Sequence, residues 1–270
     1  VRRRVVTAAV AIPIILLVLY LGTVAVACLA AAAAAVAGWE LAGMAGRPPG
    51  RRRNAGLVFW PAALVAVVGT RASGAWGGSW WPVAAAFASG AALAAVWFAV
   101  FPSRGSSLWR PAVTVLAAAY FGLLLAHAPA LRSLPEGFDW LLIGLCTTFV
   151  ADTAALFVGR AWGRHRMAPR ISPRKTWEGA AGGVTGSVVI AVVLVAVLHP
   201  GPSLWAAALL GVAAAVAGMV GDLAVSSLKR GAGLKDSGTL LPGHGGILDR
   251  LDSLAPNLAV VYWFAVLTAT

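Results

Sequence analysis

This sequence is a series of apolar runs separated by short basic segments. Each run approaches the roughly 20 residues that an α-helix needs to cross the hydrocarbon core of a bilayer. Nine stand out, at roughly 5–21, 23–43, 55–69, 81–101, 111–127, 138–158, 179–198, 203–220 and 256–270. In lipid, backbone N–H and C=O groups must be paired within the segment, so runs of this length are expected as helices. No polar–apolar alternation points to a barrel. Hydrophobic residues make up 60% of the chain and charged ones 11%, against roughly 25% charged in soluble domains. A soluble domain is excluded. The expected fold is all-α, a polytopic integral membrane protein of about nine transmembrane helices. The opening Val1-Arg2-Arg3-Arg4 resembles the start of a signal peptide. More apolar runs follow it, so it is read as the flank of a first span rather than of a removed segment.

Charge sets the orientation. With the N-terminus in the cytoplasm, 19 of the 21 Lys and Arg fall on the inner side, leaving Arg71 and Arg132 outside. The inverted arrangement reverses that bias, and cytoplasmic loops are the basic ones. The net charge of +12 is therefore read as membrane flank, with no nucleic-acid partner expected. Trp60, Trp80, Trp81, Trp109 and Trp140 lie near span ends, as an interfacial belt does. Cys28 and Cys146 sit inside apolar runs, too few and too far apart for a disulfide framework or zinc site.

The chain divides by chemistry. Residues 1–137 are read as transmembrane scaffold and lipid contact. Residues 138–270 are read as the catalytic region, with long cytoplasmic loops at 159–178 and 221–255. Six of the nine acids, Asp152, Glu178, Asp222, Asp236, Asp249 and Asp252, lie at residue 152 or beyond. Asp152 stands within an apolar run, where a carboxylate costs about 2.5–3.5 kcal/mol at the helix centre. It is a candidate functional residue, or one half of a pair with Arg160. Ser172-Pro173-Arg174-Lys175-Thr176-Trp177-Glu178-Gly179 offers hydroxyls at Ser172 and Thr176 and cations for phosphate. It is equally compatible with an ordinary basic flank. Gly179, Gly182, Gly183 and Gly186 permit close helix packing in the seventh run.

Residues 221–252 are the most informative. Asp249 and Asp252 are three apart and share a face if helical, where two carboxylates suit a hard cation. Asp222 is placed to close the same site. Lys229, Arg230, Lys235 and Arg250 bring phosphate-binding charge, and Pro242 through Gly246 let backbone N–H groups approach an anion. Acids for a metal, cations for phosphates and a glycine turn point to magnesium-assisted phosphoryl or nucleotidyl transfer at the cytoplasmic face.

Ser226 to Asp252 resembles the signature of the phosphatidate cytidylyltransferases, or CDP-diglyceride synthetases. Here it reads Ser-x-Leu-Lys-Arg, four residues, Lys-Asp-x-Gly, two residues, Leu-Pro-x-His-Gly-Gly-Ile-x-Asp-Arg-Leu-Asp. Asp152 to Gly179, with its Ser-Pro-x-Lys-Thr-Trp-Glu-Gly element, is similar to the same family. The resemblance implies transfer of CMP from CTP to phosphatidic acid, giving CDP-diacylglycerol and pyrophosphate. It implies a divalent ion, usually Mg2+, with K+ beside it, and a homodimer. It carries metal binding to Asp222, Asp249 and Asp252. Catalytic roles are expected for these three with Lys229 and Arg230. Substrate contacts are expected from Ser172, Lys175, Thr176, Ser226, Lys235, Asp236, His244, Gly245, Gly246 and Arg250. The protein is expected in the cell (inner or plasma) membrane, multi-pass, with its site on the cytoplasmic face. A transporter would place acids at mid-membrane in repeated halves, and no internal repeat is present. A CDP-alcohol phosphotransferase pattern is absent too. A non-catalytic scaffold is a third alternative, separable because it would tolerate substitution of Asp249 or Asp252.

Overall fold

The computed structural model describes residues 2–45, 62–69, 118–198, 202–238 and 246–268. These are mostly helical. Helix α1 is Arg2–Leu21 and α2 is Thr23–Ala45; residues 62–69 are also helical. A π-helical turn, Ala118–Leu123, leads into α3, Leu124–Arg132. Then come α4 (Gly137–Trp162), strands β1 (Arg166–Ala168) and β2 (Ser172–Thr176), α5 (Trp177–Leu198), α6 (Leu204–Gly231) and α7 (Leu248–Thr268). Five helices among the described residues are long and apolar enough to cross a membrane: Thr23–Leu41, α4, α5, α6 and α7. The expected run 81–101 lies outside the described residues, as do the first parts of 55–69 and 111–127.

Two features depart from the sequence reading. The fold is not purely α. Pro173 cannot donate within a helix, and Ser172–Thr176 pairs antiparallel with Arg166–Ala168 as a short ribbon between α4 and α5. The segment 221–255, expected as a loop, is helical at both ends: α6 runs to Gly231 and α7 begins at Leu248. Helix α6 has 28 residues. At about 1.5 Å each it is roughly 42 Å long, more than the roughly 30 Å hydrocarbon core. Nothing between Asp222 and Arg230 breaks it. It stops where Gly233 takes a φ of +70°. Gly233 N donates to Arg230 O and Leu234 N to Lys229 O, the two bonds of a glycine-terminated helix end.

The chain forms two compact units, Val1–Leu134 with Asp236–Asp249, and Pro135–Lys235 with Arg250–Thr270. In the first, α2 buries Ala27, Ala30, Ala34, Ala37, Leu41 and Met44. That alternating three-four spacing draws one stripe along the helix, so the alanine-rich run has one packed face. Arg132 Nε of α3 donates to Leu19 O of α1 at 2.8 Å.

In the second unit, small residues bring the helices close. A Cβ at Gly179 would stand 2.9 Å from Ala155 O, and one at Gly183 3.1 Å from Ala151 O. The glycine stripe of α5 is thus occupied by α4 of the same chain. Helix α7 is fastened to α4 by Asn257 Nδ2, which donates toward Gly144 O (2.9 Å), Thr147 Oγ1 (3.0 Å) and Thr148 Oγ1 (2.5 Å). Interhelical polar contacts of this kind hold bundles together where lipid supplies no hydrophobic drive. Valines 189, 193 and 197 of α5 and Leu209, Val212, Val216 and Val220 of α6 point outward, a surface suited to lipid chains.

Candidate active site

The motif Ser172–Gly179 folds into the ribbon and the start of α5, and each residue has a local task. Thr176 is buried, and its Oγ1 accepts from Gly179 N at 3.1 Å, capping α5. Glu178 accepts from the backbone N–H groups of Arg164 and His165 and pairs with His165 Nδ1 at 2.6 Å. Trp177 N donates to His165 O. The base of the ribbon is therefore tied to the first turn of α5. Ser172 is half-buried on β2, and Arg174 is exposed.

From that ribbon Lys175 reaches α6. Its Nζ lies 2.6 Å from Asp222 Oδ2. The other oxygen, Oδ1, accepts from Ser226 Oγ, one turn along, at 3.0 Å. Lys229 follows on the same buried face of α6. Asp252, on α7, is buried, and its Oδ1 accepts from Ser253 N at 2.8 Å. Asp152 of α4 is acted on electrostatically by Asp222, Lys175 and Arg250, and Asp252 by Asp222 and Asp152. Lys229 acts in the same way on Asp252. Three carboxylates and three cations, drawn from α4, β2, α6 and α7, thus form one charged cluster within the second unit.

The family model described as "Cytidylyltransferase family" matches residues 2–268. This chain belongs to the cytidylyltransferase family. Relatives include a phosphatidate cytidylyltransferase of Mycobacterium bovis, 38% identical over 169 residues, 61% of this chain and 53% of that one. A phosphatidate cytidylyltransferase of Brucella suis is 44% identical over 135 residues, half of each chain. One of Staphylococcus haemolyticus is 36% identical over 156 residues, 58% of this chain and 59% of that one. The chain spans about half the length of the first curated relatives it matches.

In this cytidylyltransferase-family chain, Asp152, Lys175, Asp222, Ser226, Lys229, Arg250 and Asp252 gather as described. Arg230 Nε donates to Ile171 O at 3.0 Å and Nη1 to Leu234 O at 2.7 Å, joining the ribbon turn to the end of α6. Lys235 and Asp236 are exposed. His244 and Gly245 lie outside the described residues.

Asp249 belongs to the first unit and is engaged there. Its Oδ2 accepts from Ser237 N (3.1 Å), Ser237 Oγ (3.0 Å) and Gly246 N (3.2 Å). Of the expected metal-binding trio, Asp222 and Asp252 belong to the second unit. Among the described residues, no group of three or more His, Cys, Asp or Glu side chains is arranged to hold a metal ion.

Sequence reasoning missed Glu40 of α2, which is buried and accepts from Ser237 Oγ, Ile247 N and Leu248 N. The available signal was a lone acid inside a long apolar run, which is costly unless partnered.

Proposed function

We propose that this chain is a phosphatidate cytidylyltransferase, transferring CMP from CTP to phosphatidic acid. A phosphate oxygen of the lipid attacks the α-phosphorus of CTP. The new P–O bond forms as the bond from the α-phosphorus to its bridging oxygen breaks, and pyrophosphate leaves with that electron pair. The observation that carries this reading is the cluster of Asp152, Asp222 and Asp252 with Lys175, Lys229 and Arg250, built from the family's motif residues.

The chemistry asks for little proton transfer. A phosphate monoester has a second pKa of about 6, so the nucleophile is largely dianionic at pH 7. The obstacle is bringing two polyanions together. Lys175, Lys229 and Arg250 would hold the phosphates and offset their charge. Magnesium is commonly bound by carboxylates together with substrate phosphates and waters, and Asp222, Asp249 and Asp252 would supply the carboxylates. When bound there, the ion would neutralise charge and polarise the α-phosphate. Ser226 would keep the Asp222 carboxylate oriented, and K+ beside the site would add further neutralisation.

The same reading takes the chain as a nine-span protein of the cell membrane with a cytoplasmic N-terminus, working as a homodimer. Both charged segments then face the side where CTP is found. The decisive experiment supplies detergent-purified protein with phosphatidic acid and radiolabelled CTP. Label is expected in the lipid extract only when magnesium is present, and Asp222→Asn and Asp252→Asn are each expected to lower the rate on the order of 100-fold or more. A folded wild type that labels no lipid with magnesium and potassium present overturns the reading.

A further inference from the structure

Glu40 sits near the end of α2, almost 200 residues from the motif that carries the chemistry. Its carboxylate is nevertheless committed to that motif. Oε1 accepts from Ile247 N at 3.0 Å, and Oε2 accepts from Leu248 N at 2.9 Å and Ser237 Oγ at 2.9 Å. Leu248 is the first residue of α7. The first N–H groups of a helix have no partner within it and attract negative charge. Ile247, just before them, has no side-chain oxygen to offer. Glu40 supplies the missing acceptor from another helix.

Asp249 works on the same two places. It accepts from Gly246 N and Ser237 N, and it shares the single hydroxyl proton of Ser237 with Glu40. Two carboxylates thus bind both ends of one segment, Ser237 at its start and Gly246 to Leu248 at its close. The glycines bear this out independently. A Cβ at Gly238 would come 2.7 Å from Glu40 Oε1, and one at Gly246 would run into Ser237 Oγ and Glu40 Oε2. The backbone comes this close to Glu40 only because no side chain intervenes.

We propose that Glu40 is a positioning residue of the transfer site, holding Ser237 together with Ile247 and Leu248 so that α7 starts at one fixed place. This rests on the cytidylyl-transfer reading above. The start of a helix sets the direction of every side chain along it, and Arg250 and Asp252 follow within the next turn. A carboxylate is required because the backbone N–H groups of Ile247 and Leu248 donate to its two different oxygens. An amide at this position would turn an NH2 group toward at least one of them.

The test compares wild type, Glu40→Gln and Gly238→Ala by hydrogen exchange over peptides covering residues 236–250, by kcat and KM for CTP, and by thermal unfolding in detergent. Glu40→Gln is expected to lose protection over 236–250 and not elsewhere, and to lower kcat about 10-fold or more. KM for CTP should change less than threefold, since no substrate contact is removed. Gly238→Ala should give the same pattern by pressing on the same carboxylate. Unchanged exchange at 236–250, exchange rising throughout, or a Glu40→Gln variant with full turnover overturns the proposal. If the wild type transfers no label, the cytidylyl-transfer reading falls and Glu40 has no such role. Localised exchange would then leave only a structural clasp.

Discussion

Lys175 and Asp222 stand 2.6 Å apart, each about a quarter exposed. On the proposed reading they have competing duties, because Asp222 is also a carboxylate for magnesium. Two cations for one carboxylate give predictions of opposite sign. Lys175→Met removes a phosphate-binding charge and is expected to lower kcat/KM for CTP on the order of 100-fold. It also leaves Asp222 more available, so the half-saturating magnesium concentration should fall. A magnesium titration of both proteins checks this, and a magnesium requirement that rises in the variant overturns the shared-carboxylate picture. Lys175, Asp222, Lys229 and Asp252 were legible as chemistry because each is a charge in an apolar setting and part of a spaced motif. Glu40 was not, because it stands alone in an alanine-rich run and its partners are nearly 200 residues away. Nor was the capping of α5 by Thr176, although a hydroxyl before an apolar run is a helix-start signal.

The elements show where periodicity carries information and where it stops. The helical runs were readable from length and hydropathy. The extension of α6 through Asp222–Arg230 was not, because polar residues after an apolar run look the same in a loop and in an emerging helix. Gly233 gave the true stopping point. The glycines of α5 were recognised as a close-packing stripe with the partner left open. The structure fills that stripe with α4. A Cβ at Gly183 would lie 3.1 Å from Ala151 O and 3.2 Å from Ala155 Cβ, so Gly183→Val must push α4 and α5 apart. Overpacking of this kind costs about 1–3 kcal/mol, and the thermal midpoint in detergent should fall by several degrees. Gly231→Ala is the control. Nothing lies within 4 Å of its would-be Cβ, and its midpoint should match the wild type. If Gly183→Val is equally silent, α4 and α5 do not pack through this stripe.

At the scale of the whole molecule, the orientation turns on a point that does not need the full number of spans. Helices α5 and α6 are consecutive and each is long enough to cross. If both cross, the ribbon before α5 and the segment after α6 lie on one side, and Ser203 between them on the other. The ribbon side carries Arg160, Arg164, Arg166, Arg170, Arg174, Lys175, Lys229, Arg230, Lys235 and Arg250. Basic segments of this density stay in the cytoplasm. Single cysteines at Arg170→Cys, Ala232→Cys and Ser203→Cys, in a background with Cys28→Ser and Cys146→Ser, convert this into a measurement. A membrane-impermeant maleimide is expected to label position 203 in intact spheroplasts, and positions 170 and 232 only in inverted vesicles. If all three are reversed, the charge argument fails and a CTP-using site would face away from its nucleotide. If 170 and 232 fall on opposite sides, α5 and α6 do not both cross, and Lys175 and Asp222 must meet by a path other than a simple helical hairpin.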